Sequence, residues 1–105
     1  MKIHRMLCVS ALLALPNLAL AKLPPSSTLG QLEGTVDFCA QVDPQSADKY
    51  QERKRLFVEG EPEKDVAEAR KSSEYKSSYD AISEALGKVP KDKAVKACTS
   101  FLEGK

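Results

Sequence analysis

Tryptophan is missing from this 105-residue chain, and its one histidine, His4, lies within the first six residues together with both methionines, Met1 and Met6. There is no surplus of charge of either sign, with 16 basic against 15 acidic residues. No stretch shows sustained polar–apolar alternation, a β-branched run or a hairpin dipeptide such as Asn-Gly, so strands are not expected. The longest apolar or small-residue run, Met6 to Leu15, is too short to cross a hydrocarbon core of roughly 30 Å.

What the opening does contain is ordered. Met1-Lys2-Ile3-His4-Arg5 is a basic start, Met6 to Leu15 an apolar middle, and Ala19-Leu20-Ala21 an A-x-A site after Pro16 and Asn17. That order predicts a secretory signal peptide over 1–21, with Ala19 and Ala21 marking the cleavage site and Lys22 the first mature residue. Localisation is then periplasmic or extracellular, with no membrane insertion after cleavage. Cys8 lies within the segment removed, and its position, with most of the apolar region behind it, does not fit a lipoprotein signal.

Cleavage of 21 of the 105 residues leaves 84, enough for one small domain whose core is marginal without a covalent staple. With Lys2 and Arg5 gone from the 16 basic residues, 14 face 15 acidic ones, a net charge of −1. Nucleic acid and anionic membrane, which call for a basic surplus, are not expected partners. Two cysteines survive, Cys39 and Cys98. In an exported domain of this size they read as a disulfide, with free or intermolecular thiols as the alternative. Closing so long a loop is worth roughly 4 kcal/mol of chain entropy. A redox pair is disfavoured because catalytic thiols sit at helix starts, whereas Cys39 falls towards a helix end.

Along the mature chain, 22–27 with Pro24-Pro25 reads as a flexible leader, and 28–105 as a helical domain. Thr28 and Gln31 have the spacing of a capping box. Leu29, Leu32, Val36 and Cys39 then form one apolar stripe. Gly30 and Gly34 weaken that helix, and Glu33 and Asp37 lie too near for a membrane dimerisation motif, so close packing against a neighbouring helix is the expected use of the glycines. Asp43-Pro44 predicts a cap and a second helix to about Glu59, stopping at Gly60. Its inner face carries Ala47, Tyr50, Lys54 and Phe57, widened by Leu56 and Val58, with the Lys54 stem on the core and its ammonium in water.

From Pro62 to Leu86 the pattern is helical but changes phase. Tyr75, Tyr79, Ile82 and Leu86 share a face that Val66 does not, which predicts a break at Ser72-Ser73 between helices near 62–71 and 73–86. Gly87 ends the second, and Val89-Pro90 opens a last helix with Val95, Cys98 and Leu102 on one face, widened by Ala94, Ala97 and Phe101. The fold class is all-α: a small bundle of four to five short antiparallel helices pinned by one disulfide.

Chemistry is constrained by inventory. Without a mature histidine, zinc would have to rely on carboxylates, and Ser-His-Asp or Cys-His catalysis has no base. No Gly-rich phosphate loop or haem motif occurs. No catalytic, cofactor-binding or metal-ligating residues are therefore expected. Glu59, Glu61, Glu63 and Asp65 read as a solvated acidic cap on a helix start, and Arg70, Lys71 and Lys76 as a solubilising patch. Tyr75 and Tyr79 are one turn apart, either a surface contact site or core packing with hydroxyls at the rim.

The expected function is an exported, non-enzymatic module that meets an unknown protein partner in the cell envelope, as adaptor or inhibitor. An alternative starts from Val95-Lys96-Ala97-Cys98-Thr99, which resembles the surroundings of the second cysteine in the small acid-stress chaperones of the bacterial periplasm. The overall plan of signal, short helical chain and one disulfide is similar to theirs, and the resemblance implies client binding in acid. A further alternative is a small-ligand carrier using the apolar stripes near Tyr79 and Phe57.

Overall fold

The computed structural model describes residues 23–104. The predicted signal segment 1–21, its cleavage residues Ala19 and Ala21, and Lys22 lie outside the described residues. Among those described there are five α-helices and no strand.

Helix α1, Ser26–Val42, is the axis of the molecule. It starts ahead of Thr28, and the Thr28–Gln31 capping box does not form. Pro25, whose ring fixes φ at −52°, presents the carbonyl that accepts from Leu29 N–H at 2.9 Å, so the first turn is already closed when Thr28 is reached. Leu29, Val36 and Cys39 are buried as the stripe predicts, while Leu32 is only half-buried. Gly30, Glu33 and Gly34 are buried too, so neighbours surround α1 on more than its apolar side.

After a 3₁₀ turn at Pro44–Ser46, α2 runs over Ala47–Leu56, shorter than the predicted helix to Glu59. Turns follow to Gly60, whose φ of +83° is the left-handed conformation that stops a helix. Asp43 does not cap through its side chain; its carboxylate accepts from the Tyr50 hydroxyl at 3.0 Å. Tyr50 is fully buried, whereas Leu56 is 44% exposed and does not widen the core. Six residues at ~100° each carry Leu56 about 120° off the Tyr50 direction.

Helices α3, Glu63–Lys71, and α4, Ser73–Gly87, meet at the predicted break. Ser72 has extended backbone (φ −70°, ψ 154°), its Oγ accepts from Tyr75 N–H at 3.1 Å, and it donates to the Ala69 carbonyl at 2.8 Å. Helix α5, Lys91–Leu102, follows Pro90. Cys39 of α1 and Cys98 of α5 are bonded, their Cα atoms 5.5 Å apart. Val36, Tyr50 and these cysteines form the core cluster, with Phe38, Phe57 and Phe101 against it.

Helix direction departs from the all-antiparallel expectation. Tyr75 bonds Glu33 and Tyr79 bonds Asp37, each pair 42 positions apart, so α1 and α4 advance in the same direction. α2 runs opposite to α1: Asp43, just past the end of α1, meets Tyr50, and Asp37, six residues back, meets Lys54 further along α2. The glycines do what close packing requires. A Cβ on Gly30 would overlap the Tyr75 carbonyl oxygen and lie 3.1 Å from Tyr75 Cα, and one on Gly34 would lie 2.5 Å from Ile82 Cγ2.

Candidate functional site

Gly30, Glu33, Gly34 and Asp37 recur at one-turn spacing, which puts all four on the side of α1 that faces α4. The glycines let the α4 backbone approach; the acids meet what that approach brings. Glu33 is fully buried. Its carboxylate accepts from Arg70 Nε at 2.9 Å, from the other guanidinium nitrogen at 2.5 Å, and from the Tyr75 hydroxyl at 2.5 Å. The fork-to-carboxylate arrangement is the strong form of a charged hydrogen bond. One turn on, Asp37 accepts from Lys54 Nζ at 3.0 and 3.2 Å and from the Tyr79 hydroxyl.

Three elements converge here. α3 delivers Arg70 from its last turn, α2 delivers Lys54, and α4 delivers both tyrosines, whose rings lie 5.8 Å apart and tilted by 32°. A shallow groove of about 410 Å³ opens over the cluster between Asp37, Arg70, Tyr75, Tyr79, Lys76 and Asp80.

Burial pushes the Tyr75 and Tyr79 hydroxyls well above the ordinary tyrosine range, and their bonds to Glu33 and Asp37 push them further, since a phenolate beside a carboxylate is repelled. The Glu33 hydrogen bond likewise raises Arg70. Both tyrosines are thus held neutral as donors and Arg70 as a cation. Among the described residues no buried side-chain nitrogen or oxygen lacks a partner. None of their His, Cys, Asp or Glu side chains group in threes around a possible metal position.

Tyr75 and Tyr79, candidates for surface contact, are half-buried, with ring faces on the groove and hydroxyls turned inward onto α1 rather than to the rim. Arg70 is not part of a solubilising patch; it closes the Glu33 ion pair, while Lys71 and Lys76 are exposed. The Lys54 ammonium pairs with Asp37 while a quarter of the side chain stays exposed. Glu59, Glu63 and Asp65 are exposed and Glu61 half-buried, with Glu63 and Asp65 in the first turn of α3. Cys39 and Cys98 are 2% and 4% exposed. Glu33 and Asp37 did not emerge as site residues from the sequence; the signal that marks them is their spacing with Gly30 and Gly34.

A scan against protein-family models, a search of curated proteins and a search of solved structures each returned no match for this chain.

Proposed function

We propose that this chain is an exported helical module that binds another protein in the cell envelope, as adaptor or inhibitor, and does not act by catalysis. The observation that supports this most is how the interior polar groups are engaged. Glu33 and Asp37 each accept from a cation and a tyrosine hydroxyl, and Asp43 accepts from Tyr50. Groups that could serve as acid or base are already holding helices together, which is the condition of a scaffold. The Cys39–Cys98 bond fits an oxidising compartment, as does the signal-like order of residues 1–21 in the sequence.

The test is affinity capture from envelope extract with the oxidised protein, followed by native mass spectrometry. A partner recovered at fixed stoichiometry, and recovering this protein in the reverse capture, is the expected result. Nothing above background at several pH values overturns the reading.

One observation favours a second reading, an acid-stress chaperone. Carboxylates hold α1 to α2, α3 and α4 at once. In acid the 14 basic side chains left after cleavage would outweigh the chain's negative charge, and their mutual repulsion would loosen the fold and expose apolar surface to a client. Suppressed light scattering of an aggregating client at low pH is expected on this reading; unchanged scattering removes it.

A further inference from the structure

Where α4 turns into α5, an apolar crevice of about 130 Å³ opens on the surface. Phe38 of α1, Leu86 and Val89 of the α4 end and turn, and Ala97 and Phe101 of α5 line it beside the bonded cysteines. Thr35 is the one side chain on its wall with a hydroxyl, and that hydroxyl donates to the Gln31 carbonyl of its own helix at 2.8 Å. The crevice therefore offers a guest no free side-chain donor. Val89, at 37% exposed, is one of two large apolar side chains left open among the described residues.

Lysines border the crevice along the chain, Lys88 and Lys91 on either side of Val89-Pro90 and Lys93 beside Ala94. All three are exposed, with Asp92 the one acid among 88–93, and none of them forms an ion pair among the described residues, while Lys96, about 200° round α5 from Ala94, faces away. Lys91 and Lys93 stand in the first turn of α5, the end of a helix where the dipole disfavours cations. Their placement costs the helix they start and is offset by no ion pair among the described residues.

We propose that this crevice and its lysines are the partner-binding surface, and that the partner presents one bulky apolar side chain, of leucine or phenylalanine size, flanked by carboxylates. The size follows from the volume: an apolar cavity of ~150 Å³ holds one benzene ring. The charge follows from complementarity with Lys88, Lys91 and Lys93, which would speed encounter and fix orientation while the buried side chain supplies the anchor. The inference rests on the binding-module reading above.

Three short acetylated peptides test it by NMR titration of the oxidised protein: a central Phe among Glu and Asp, the same with Phe→Ser, and the same with the acids replaced by Lys. The first should shift the amides of Val89, Ala94, Ala97 and Phe101, and each of the others should bind about tenfold more weakly. A K91E/K93E variant, whose changes are exposed and suit the helix dipole, should stay folded and lose the first peptide by a similar factor. Equal binding of all three, no binding, or shifts confined elsewhere overturns the site. So does tighter binding to anionic phosphatidylglycerol vesicles through the same residues, or self-association seating Leu56 of a second copy in the crevice. An envelope partner captured equally by the wild type and K91E/K93E overturns this site while leaving the binding-module reading intact; capture lost only in K91E/K93E supports both.

Discussion

Replacing Arg70 with Met is the sharpest probe of the α1–α3–α4 seam. The change keeps the length of the aliphatic stem but removes the guanidinium that gives Glu33 two hydrogen bonds, at 2.9 and 2.5 Å. Glu33 is 0% exposed, so its carboxylate would keep only the Tyr75 hydroxyl. Breaking a buried ion pair from one side costs about 3–5 kcal/mol, because the remaining charge is stranded. Arg70 is itself 38% exposed, and the solvent that reaches it lowers the expectation to about 2–3 kcal/mol. For a domain of this size that is a fall in Tm of about 10–20 °C. Urea unfolding followed by far-UV circular dichroism would measure it. The decisive control is Glu33→Gln in the Arg70→Met background. A neutral amide is far cheaper to bury than an unpaired carboxylate, and it still accepts from Tyr75, so most of the loss should return. A single variant losing less than about 1 kcal/mol, or a double variant no better than the single, would refute the claim that a stranded charge sets the cost.

Other consequences follow from the same geometry. Gly30→Ala should destabilise by about 1–3 kcal/mol despite alanine's better helix propensity, because the obstacle is Tyr75 backbone that cannot step aside, while Gly87→Ala, with open space around it, should gain up to about 1 kcal/mol in the same denaturation assay. Tyr50 is pushed by burial, and then by its bond to Asp43, up to about 12. Its contribution is whole below pH 10 and lost as pH rises through about 12, so tyrosinate absorbance should lag behind free tyrosine and appear together with loss of helix. Converting Cys39 and Cys98 to Ala should lower unfolding free energy by roughly 4 kcal/mol, read as a lower urea midpoint.

The sequence carries the element boundaries where local chemistry makes them. Asp43-Pro44, Ser72-Ser73 and Val89-Pro90 each interrupt an apolar phase with a residue that starts helices, and breaks occur at all three. The disulfide follows from inventory, and the use of Gly30 and Gly34 from their spacing. What was not legible is non-local. Nothing local marks Glu33 and Asp37 as paired, and their partners, Arg70 and Tyr79, lie 37 and 42 positions away. Helix direction is similarly absent from any local stripe: the same Tyr75–Leu86 face would serve a parallel or an antiparallel neighbour. The Lys54 ammonium finds Asp37 because α2 folds back along α1.

The polar seam has a consequence for how α4 chooses its position. No residue of α4 is fully buried, and among its contacts with α1 are two tyrosine hydroxyls, the Tyr75 and Tyr79 backbone against Gly30 and Gly34, and the Ile82 methyl against Gly34. Apolar contact alone is indifferent to a slide of one turn, since Tyr75 and Tyr79 present the same ring to α1; a carboxylate that must meet both a hydroxyl and a guanidinium is not. The variant Glu33→Leu, Arg70→Leu, Tyr75→Phe, Tyr79→Phe, which leaves Asp37 its Lys54 partner, separates the two effects. Well-packed apolar replacements of a buried pair are often neutral or stabilising by about 1–4 kcal/mol, so its unfolding free energy should hold or rise. Its α4 amides, however, should show more than one set of NMR resonances, because the register is no longer specified by a polar match. A single set, with the Gly34–Ile82 contact intact, would transfer the specification of register from the ion pair to the glycine steps.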